Sequence, residues 1–175
     1  KGLIRCLPSK VTQQRLFAEL AATSYRCGYS TLGDQIINDE LLGELPEPIS
    51  GLESQRLLAF SAPVLFEYDS NRAKALLSKL SPELREKSWL RICLWKLVPC
   101  PLEADINVLE LRIPADHKKI LRAVDAAENI SYDSILYSAI KAILNVTDIS
   151  FDRRNIDATQ ALEILRRLTS MASSK

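Results

Sequence analysis

The sequence predicts an all-α fold in which antiparallel pairs of helices follow one another as a segment of an α-solenoid. The first observation behind this prediction is that the chain partly repeats itself at an offset of fifty residues. The second is composition, because 5 glycines and 6% aromatic residues are few for an all-β sandwich, which needs many turns and strand-forming residues. A recurring helix pair buries its apolar face only by stacking on neighbouring pairs, as in a solenoid.

The repeat is visible when residues 72–83 are aligned with residues 122–133. Three aligned pairs are identical and three others stay apolar, in the order Arg72/Arg122, Ala73/Ala123, Ser81/Ser131, Leu76/Ala126, Leu77/Ala127 and Leu80/Ile130. The alignment keeps its phase further along, through Ser88/Ser138, Leu90/Ile140, Cys93/Ile143 and Leu94/Leu144. Each copy has the pattern of a helix, a short capped break and a second helix.

Eight helices are predicted where apolar residues recur every three or four positions and capping residues mark the ends. They cover residues 12–27, 31–45, from 50 onward, 71–80, 82–98, 115–129, 131–145 and 157–171. Gly28 is expected to cap the first of them. Ser50 with Glu53, and Asp157 with Gln160, have the spacing of capping boxes.

Three features qualify this succession of helices. Pro63 lies in an apolar run and is expected to kink or break its helix, because proline lacks the backbone donor. Residues 102–113 partly alternate apolar and polar side chains, and we interpret them as an irregular connection. The helix over residues 82–98 is apolar almost all round, which is typical of a central, buried helix. No internal linker is long enough to divide the chain, so residues 1–175 are expected to form a single helical-repeat domain.

The helix pairs resemble tetratricopeptide-type and HEAT-type repeats in a divergent form. The resemblance lies in residues 72–77, with the sequence Arg-Ala-Lys-Ala-Leu-Leu, followed by residues 81–85, with the sequence Ser-Pro-Glu-Leu-Arg. The spacing of fifty residues differs from the thirty-four of tetratricopeptide repeats, and their Trp-Leu-Gly-Tyr positions are unmatched. Similar divergent repeats form the ligand-sensing arms of bacterial signalling ATPases of the STAND class, some of which act in phage defence. The resemblance implies a sensor role and carries over no site residue.

Charge and cysteine content exclude several classes of protein. A formal net charge of +1 gives no whole-chain field that would attract nucleic acid or a membrane surface. The 4 cysteines lack Cys-x-x-Cys spacing, so no zinc or redox motif is present. Their even number is compatible with two disulfides in a secreted protein, but Cys27 and Cys93 fall in apolar helical phase, which favours reduced thiols and a cytoplasmic location. The chain starts at Lys1 rather than Met, and we expect a piece of a longer protein.

The sequence holds few residues that do catalytic chemistry. The single histidine, His117, follows Asp116 in the first turn of a predicted helix, where we expect it to face water. No phosphate-binding loop and no hydrolase or metalloprotease motif is present. Asp148, Asp152 and Asp157 are assigned to a loop, and they lack the central glycine and final glutamate of a calcium-binding loop. We therefore predict no catalytic residue, no cofactor and no metal site.

The predicted function is that of a non-enzymatic module that binds another protein or peptide or senses a ligand. Two alternatives remain open: a helical regulatory fragment of an enzyme whose active site lies elsewhere, and a nucleic-acid-binding domain that uses the basic residues of the second half. The repeat places residues 82–98 and 131–145 in equivalent positions, and tyrosine and charged side chains on rigid helices are common anchors of interfaces. The predicted partner-binding residues are Lys87, Arg91, Tyr137 and Lys141.

Overall fold

The computed structural model describes residues 2–42, 62–66, 69–97 and 114–173. Within these ranges all regular structure is helical and no strand occurs, so the all-α prediction is confirmed for them. The capping box of Ser50 and Glu53 and the connection over residues 102–113 lie outside the described residues. The chain divides into two compact units, Lys1–Ser88 and Trp89–Lys175, and each is described below by itself. The stacking of helix pairs as a solenoid remains a prediction.

In the first unit, a long helix packs against the helices that flank it in sequence. The helices are α1 (Gly2–Arg5), α2 (Lys10–Arg26), α3 (Ser30–Ile36), a π-helical turn (Ile37–Leu42) that continues α3, a helical stretch at residues 62–66 that includes Pro63, and α4 (Ser70–Leu77). Gly28 follows α2 with a φ of 82°, which confirms its predicted role as a helix terminator. The helix predicted over residues 31–45 is thus α-helical only in its first part.

In the second unit, three of the helices that the structure describes pack on one another. Helix α5 (Pro82–Leu97) crosses the division between the units, and α6 (His117–Ala127), α7 (Asp133–Asp152) and α8 (Ala158–Ser173) follow. The apolar stripe of α6 is fully buried, as are the positions of α7 and α8 that belong to the same core, in the order Ile120, Ala123, Val124, Ala127, Ile143, Val146 and Ile164. Small alanines on α6 allow neighbouring helices to approach closely.

The two copies of the repeat have the same backbone geometry at their breaks. In the first copy the N–H of Ser78 donates to Lys74 O at 3.0 Å, and in the second the N–H of Glu128 donates to Val124 O at 3.0 Å. The following N–H groups also bond three residues back in both copies, at Leu80 and at Ile130. The break that the sequence repeats at an offset of fifty is therefore repeated hydrogen bond by hydrogen bond.

Helix α7 is longer than predicted. The prediction ended it at Asn145, but the helix continues to Asp152, so Asp148 and Asp152 lie on a helix and not in a loop. The reason is burial, because Val146, Thr147 and Ser150 are covered in this last part. The capping box that opens α8 is present as predicted: the N–H of Gln160 donates to Asp157 Oδ1 at 2.9 Å, and the N–H of Asp157 donates to Gln160 Oε1 at 3.0 Å.

Candidate functional site

Two of the four predicted binding residues share one exposed face of α7. Tyr137 has 66% of its surface exposed, and Lys141, four residues further on, is exposed as well. Side chains four residues apart lie one above the other on a helix, so the phenol and the ammonium group are neighbours. Lys141 forms no ion pair within the described part of the chain.

The other two predicted residues lie on α5, at the positions equivalent to Tyr137 and Lys141 in the repeat. The ammonium group of Lys87 is exposed and lies 2.5 Å from Glu83 Oε1, one turn earlier. Arg91 is half-buried, and desolvation lowers the pKa of its guanidinium. The structure thus brings the predicted residues together in two pairs, one on each helix, and shows no single site formed by all four.

The exposed face of α7 continues beyond Lys141 with apolar residues that the prediction assigned to no site. Leu144 and Phe151 are large, exposed side chains on this face. Across from them, α8 exposes Leu162 and Leu165. The periodicity of the sequence predicts one apolar core stripe on α8. It consists of Ala161, Leu162, Ile164, Leu165 and Leu168, and only Ile164 and Leu168 of these are buried.

These side chains line an open groove between the last turns of α7 and the first half of α8. It has a volume of about 570 Å³ and is lined by Leu144, Thr147, Asp148, Phe151, Ala158, Ala161, Leu162 and Leu165. Leu144 and Phe151 line it on the α7 side and form one wall, and Leu162 and Leu165 line it on the α8 side and form the other. An exposed apolar patch of this kind is typical of a site where another molecule binds.

Asp148 is the one ionisable residue among those that line the groove. It is exposed and takes part in no ion pair within the ranges that the structure describes. A carboxylate beside an apolar surface is well placed to pair with a cation that a bound molecule brings. The groove therefore offers apolar contact along its length and one negative charge at a fixed position.

The residues with catalytic potential are used to hold helices together. His117 begins α6, and its Nε2 lies 2.9 Å from Glu163 Oε2 on α8. The contact has the distance of an ion pair but not the alignment of a hydrogen bond, and the nitrogen is shielded from solvent. The prediction that His117 faces water is therefore wrong, because α8 packs over it. Its neighbour Asp116 caps α6, accepting a hydrogen bond from the N–H of Lys119 at 2.9 Å.

A second polar contact joins the same two helices. The guanidinium of Arg167 on α8 contacts Asp125 Oδ1 at 2.8 Å and also contacts Glu128. Partial burial lowers the pKa of Arg167, but its hydrogen bonds to Glu128 and Asp125 raise it by more. These contacts fix α8 against α6 on the side away from the groove-lining Leu162 and Leu165, and so they hold the groove's second wall in place.

The thiols and carboxylates of the described residues do not form a metal site. No group of three or more histidine, cysteine, aspartate or glutamate side chains within these ranges is arranged to hold a metal ion. Burial raises the pKa of the Cys93 thiol to about 12, which makes it a poor nucleophile at neutral pH. Cys6 and Cys27 are exposed free thiols, whereas the prediction placed Cys27 in an apolar helical phase.

Comparisons of the chain with protein-family models, with curated proteins and with solved structures found no match. Among the described helices, none is long and apolar enough to cross a membrane.

Proposed function

We propose that this chain is a non-enzymatic interaction or ligand-sensing module of a larger protein, built from divergent helical repeats. The observation that supports the proposal is the continuous exposed face of α7, which runs from Tyr137 and Lys141 into the apolar groove. A rigid helix that presents an aromatic ring, a charge and apolar side chains in sequence has the composition of a protein-binding surface.

The resemblance to the sensor arms of STAND-type ATPases gives this module a context. In such a protein the helical repeats would bind a protein or peptide, and binding would be relayed to a nucleotide-binding domain elsewhere in the chain. We include a cytoplasmic location in the proposal, which the exposed free thiols of Cys6 and Cys27 support, because exposed thiols persist in a reducing compartment.

A protein partner fits the site better than nucleic acid does. The groove carries a carboxylate, Asp148, which would repel phosphate groups. Tyr137 has one lysine beside it, and the next exposed aromatic residue on this face, Phe151, lies about 21 Å further along the helix, so a platform for stacking successive bases is not formed. A salt-dependent affinity for DNA or RNA, measured by fluorescence anisotropy at 50 and 200 mM salt, would favour the nucleic-acid alternative.

The test of the proposed function is site-specific cross-linking in the full-length protein in its host. A photoreactive phenylalanine analogue replaces Tyr137, and cross-linked partners are identified by mass spectrometry. We expect a protein or peptide adduct, and we expect the substitution Lys141→Glu to reduce it about tenfold. The identified partner is then purified, and its affinity is measured by calorimetry.

Lys118→Glu is the matched control, because Lys118 is also an exposed helical lysine but lies on α6. It should leave both the adduct and the affinity unchanged. Equal loss with both lysine variants would show that net charge, and not this face, governs binding. Turnover of a substrate by this chain that is abolished by His117→Gln would overturn the proposal of a non-enzymatic module.

A further inference from the structure

We propose that the groove between α7 and α8 binds an amphipathic helix of a partner protein, whose lysine or arginine pairs with Asp148. This inference rests on the proposed function and specifies the partner for one part of the surface. The apolar residues of the partner's helix, spaced three and four apart, would fill the groove. They would lie between Leu144 and Phe151 on one wall and Leu162 and Leu165 on the other.

The shape of the groove suits a helix. Its walls are two neighbouring helices, and ridges of side chains on a third helix pack into the space that two such helices leave. The exposed positions on α7 recur at three and four residues, in the order Tyr137, Lys141, Leu144, Asp148 and Phe151. An incoming helix that lies along this line would present its own residues at the same period, which is the helix-in-groove mode of recognition.

The internal repeat provides an independent argument for apolar contact at this place. Leu94 on α5 is equivalent to Leu144 on α7, yet Leu94 is 8% exposed and Leu144 is 39% exposed. Leu97 and its equivalent Thr147 are both buried, so the two copies differ at the position of Leu94 and Leu144. The same position of the repeat unit is thus covered in one copy and open in the other. An apolar surface that protein covers in the first copy is adapted to be covered by protein in the second.

The charges at the end of α7 indicate the sign of the partner. Asp148 and Asp152 lie four residues apart, both are exposed, and neither forms an ion pair in the part of the chain that the structure describes. Like charges at this spacing repel each other, and negative charge is unfavourable near the carboxyl end of a helix. A cationic side chain from a partner would relieve both effects, so the position beside Asp148 favours lysine or arginine over glutamate.

The charged residues beside the groove indicate a partner that binds reversibly. Lys141 on α7 and Arg166 on α8 are exposed and flank the apolar residues. A surface that is permanently covered excludes such charges from its centre, whereas an exchangeable interface keeps a polar rim that stays hydrated when the partner is absent. This argues for a helix from another protein rather than for a permanently packed one.

The experiment selects helices from a yeast-displayed library against the purified full-length protein. The library holds amphipathic helices of twenty residues in which the apolar positions vary among Leu, Ile, Met and Phe, and flanking positions vary among Lys, Glu, Gln and Ser. We expect enriched sequences with lysine next to the apolar stripe. Leu165→Glu in the protein should weaken the enriched helices at least tenfold.

Leu32→Glu is the matched control, because Leu32 on α3 is 41% exposed and Leu165 is 42% exposed. The control should leave helix binding unchanged, and thermal unfolding of each variant establishes that it remains folded. If Leu165→Glu unfolds the protein, Leu162→Glu on the same wall replaces it. Enriched helices that bind all groove variants as well as the native protein would overturn the proposal.

A charge exchange tests the role of Asp148 directly. In a second selection against the Asp148→Lys variant, glutamate should replace lysine in the enriched helices, and the first set should bind this variant about tenfold more weakly. No enrichment, or enrichment without a change of charge, contradicts the inference.

Self-association through the groove, seen in sedimentation as a dimer that Leu165→Glu dissociates, would also overturn it. Cross-linking at Tyr137 tests the proposed function separately, because a partner can bind there without entering the groove.

Discussion

Two helices of this chain end in the same backbone geometry, although only one of them has a glycine at the critical position. After α2, the N–H of Gly28 donates to Tyr25 O and the N–H of Tyr29 donates to Ser24 O. After α7, the N–H of Arg154 donates to Phe151 O and the N–H of the next residue donates to Ser150 O. Gly28 has a φ of 82° and Arg154 a φ of 58°, both in the left-handed region.

This comparison predicts opposite effects for two substitutions. A side chain with a Cβ is strained in the left-handed region by about 1 kcal/mol. Arg154→Gly should therefore raise the free energy of unfolding by about 0.5–1 kcal/mol, and Gly28→Ala should lower it by about 1 kcal/mol. Urea denaturation measures both. An unchanged stability of Arg154→Gly would show that contacts of the arginine side chain compensate for its backbone strain.

Gly33 is required by a neighbouring ring rather than by its backbone. A Cβ built at this position would lie 2.8 Å from ring atoms of Tyr25, whose hydroxyl donates a hydrogen bond to Asp34 Oδ1 at 2.5 Å. Because the hydrogen bond to Asp34 holds the ring in place, Gly33→Ala should destabilise the protein by about 1–2 kcal/mol, although alanine favours helices by about 1 kcal/mol. Combined with Tyr25→Leu, the same substitution should stabilise it. A double-mutant cycle in urea distinguishes the two effects, and equal losses in both backgrounds would contradict this account.

At the scale of single helices, the sequence predicts positions better than lengths. Capping signals place the start of α8 correctly, because Asp157 and Gln160 act on their own backbone. The end of α7 could not be predicted, because it depends on a distant partner: Ser150 accepts a hydrogen bond from the N–H of Ala115 at 2.9 Å. From the sequence alone, a serine near the end of an apolar stripe indicates a turn, because the backbone N–H group that bonds to it is not yet known.

Ser150 should therefore contribute more to the free energy of unfolding than a serine in a helix usually does. Its hydroxyl is fully buried, donates to Val146 O at 2.5 Å and satisfies the N–H of Ala115. Ser150→Ala leaves that N–H buried without a partner, which should cost about 1–3 kcal/mol. Ser138→Ala on the same helix removes only a bond to Ser134 O and should change stability by less than about 0.5 kcal/mol. Thermal unfolding of the two variants checks this, and similar losses would show that the contact with Ala115 contributes nothing.

At the scale of the whole chain, the groove was not predicted from the sequence, and the reason is physical. Leu162 and Leu165 flank the buried Ile164 and Leu168 on α8, and periodicity alone assigns all four to one apolar stripe. The stripe is wider than the face that α6 and α7 cover. The width of the apolar stripe on α8 could have predicted the groove from the sequence, because an apolar arc broader than one packing face indicates a second contact surface. Tyr137 and Lys141 are predicted from the sequence because they interrupt an apolar pattern with polar groups, and both are exposed.

The alkylation rates of the cysteine thiols measure how often the folded structure opens. Cys93 is fully buried, whereas Cys6 and Cys27 are exposed. Iodoacetamide at pH 8 should label Cys6 and Cys27 rapidly and Cys93 only when the protein opens, because alkylation needs an accessible thiolate. Mass spectrometry of the separate peptides gives each rate. Labelling of Cys93 at the rate of Cys27 would contradict its burial.

The same thiol should make stability fall in alkaline solution. Burial raises the pKa of Cys93 from 9.0 to about 12, so the folded protein keeps the thiol neutral while the unfolded chain ionises. Stability is therefore unaffected below pH 9 and decreases as the pH rises from 9 towards 12, by up to about 1.4 kcal/mol for each pH unit. Lysine and tyrosine residues titrate in the same range, so the measurement is the difference between the native protein and Cys93→Ala in urea denaturation at pH 8 and pH 10. The variant should start less stable because it loses buried volume, and its deficit should shrink by about 1 kcal/mol at pH 10. A deficit that stays constant between the two pH values would show that Cys93 ionises as easily in the folded protein as in the unfolded chain.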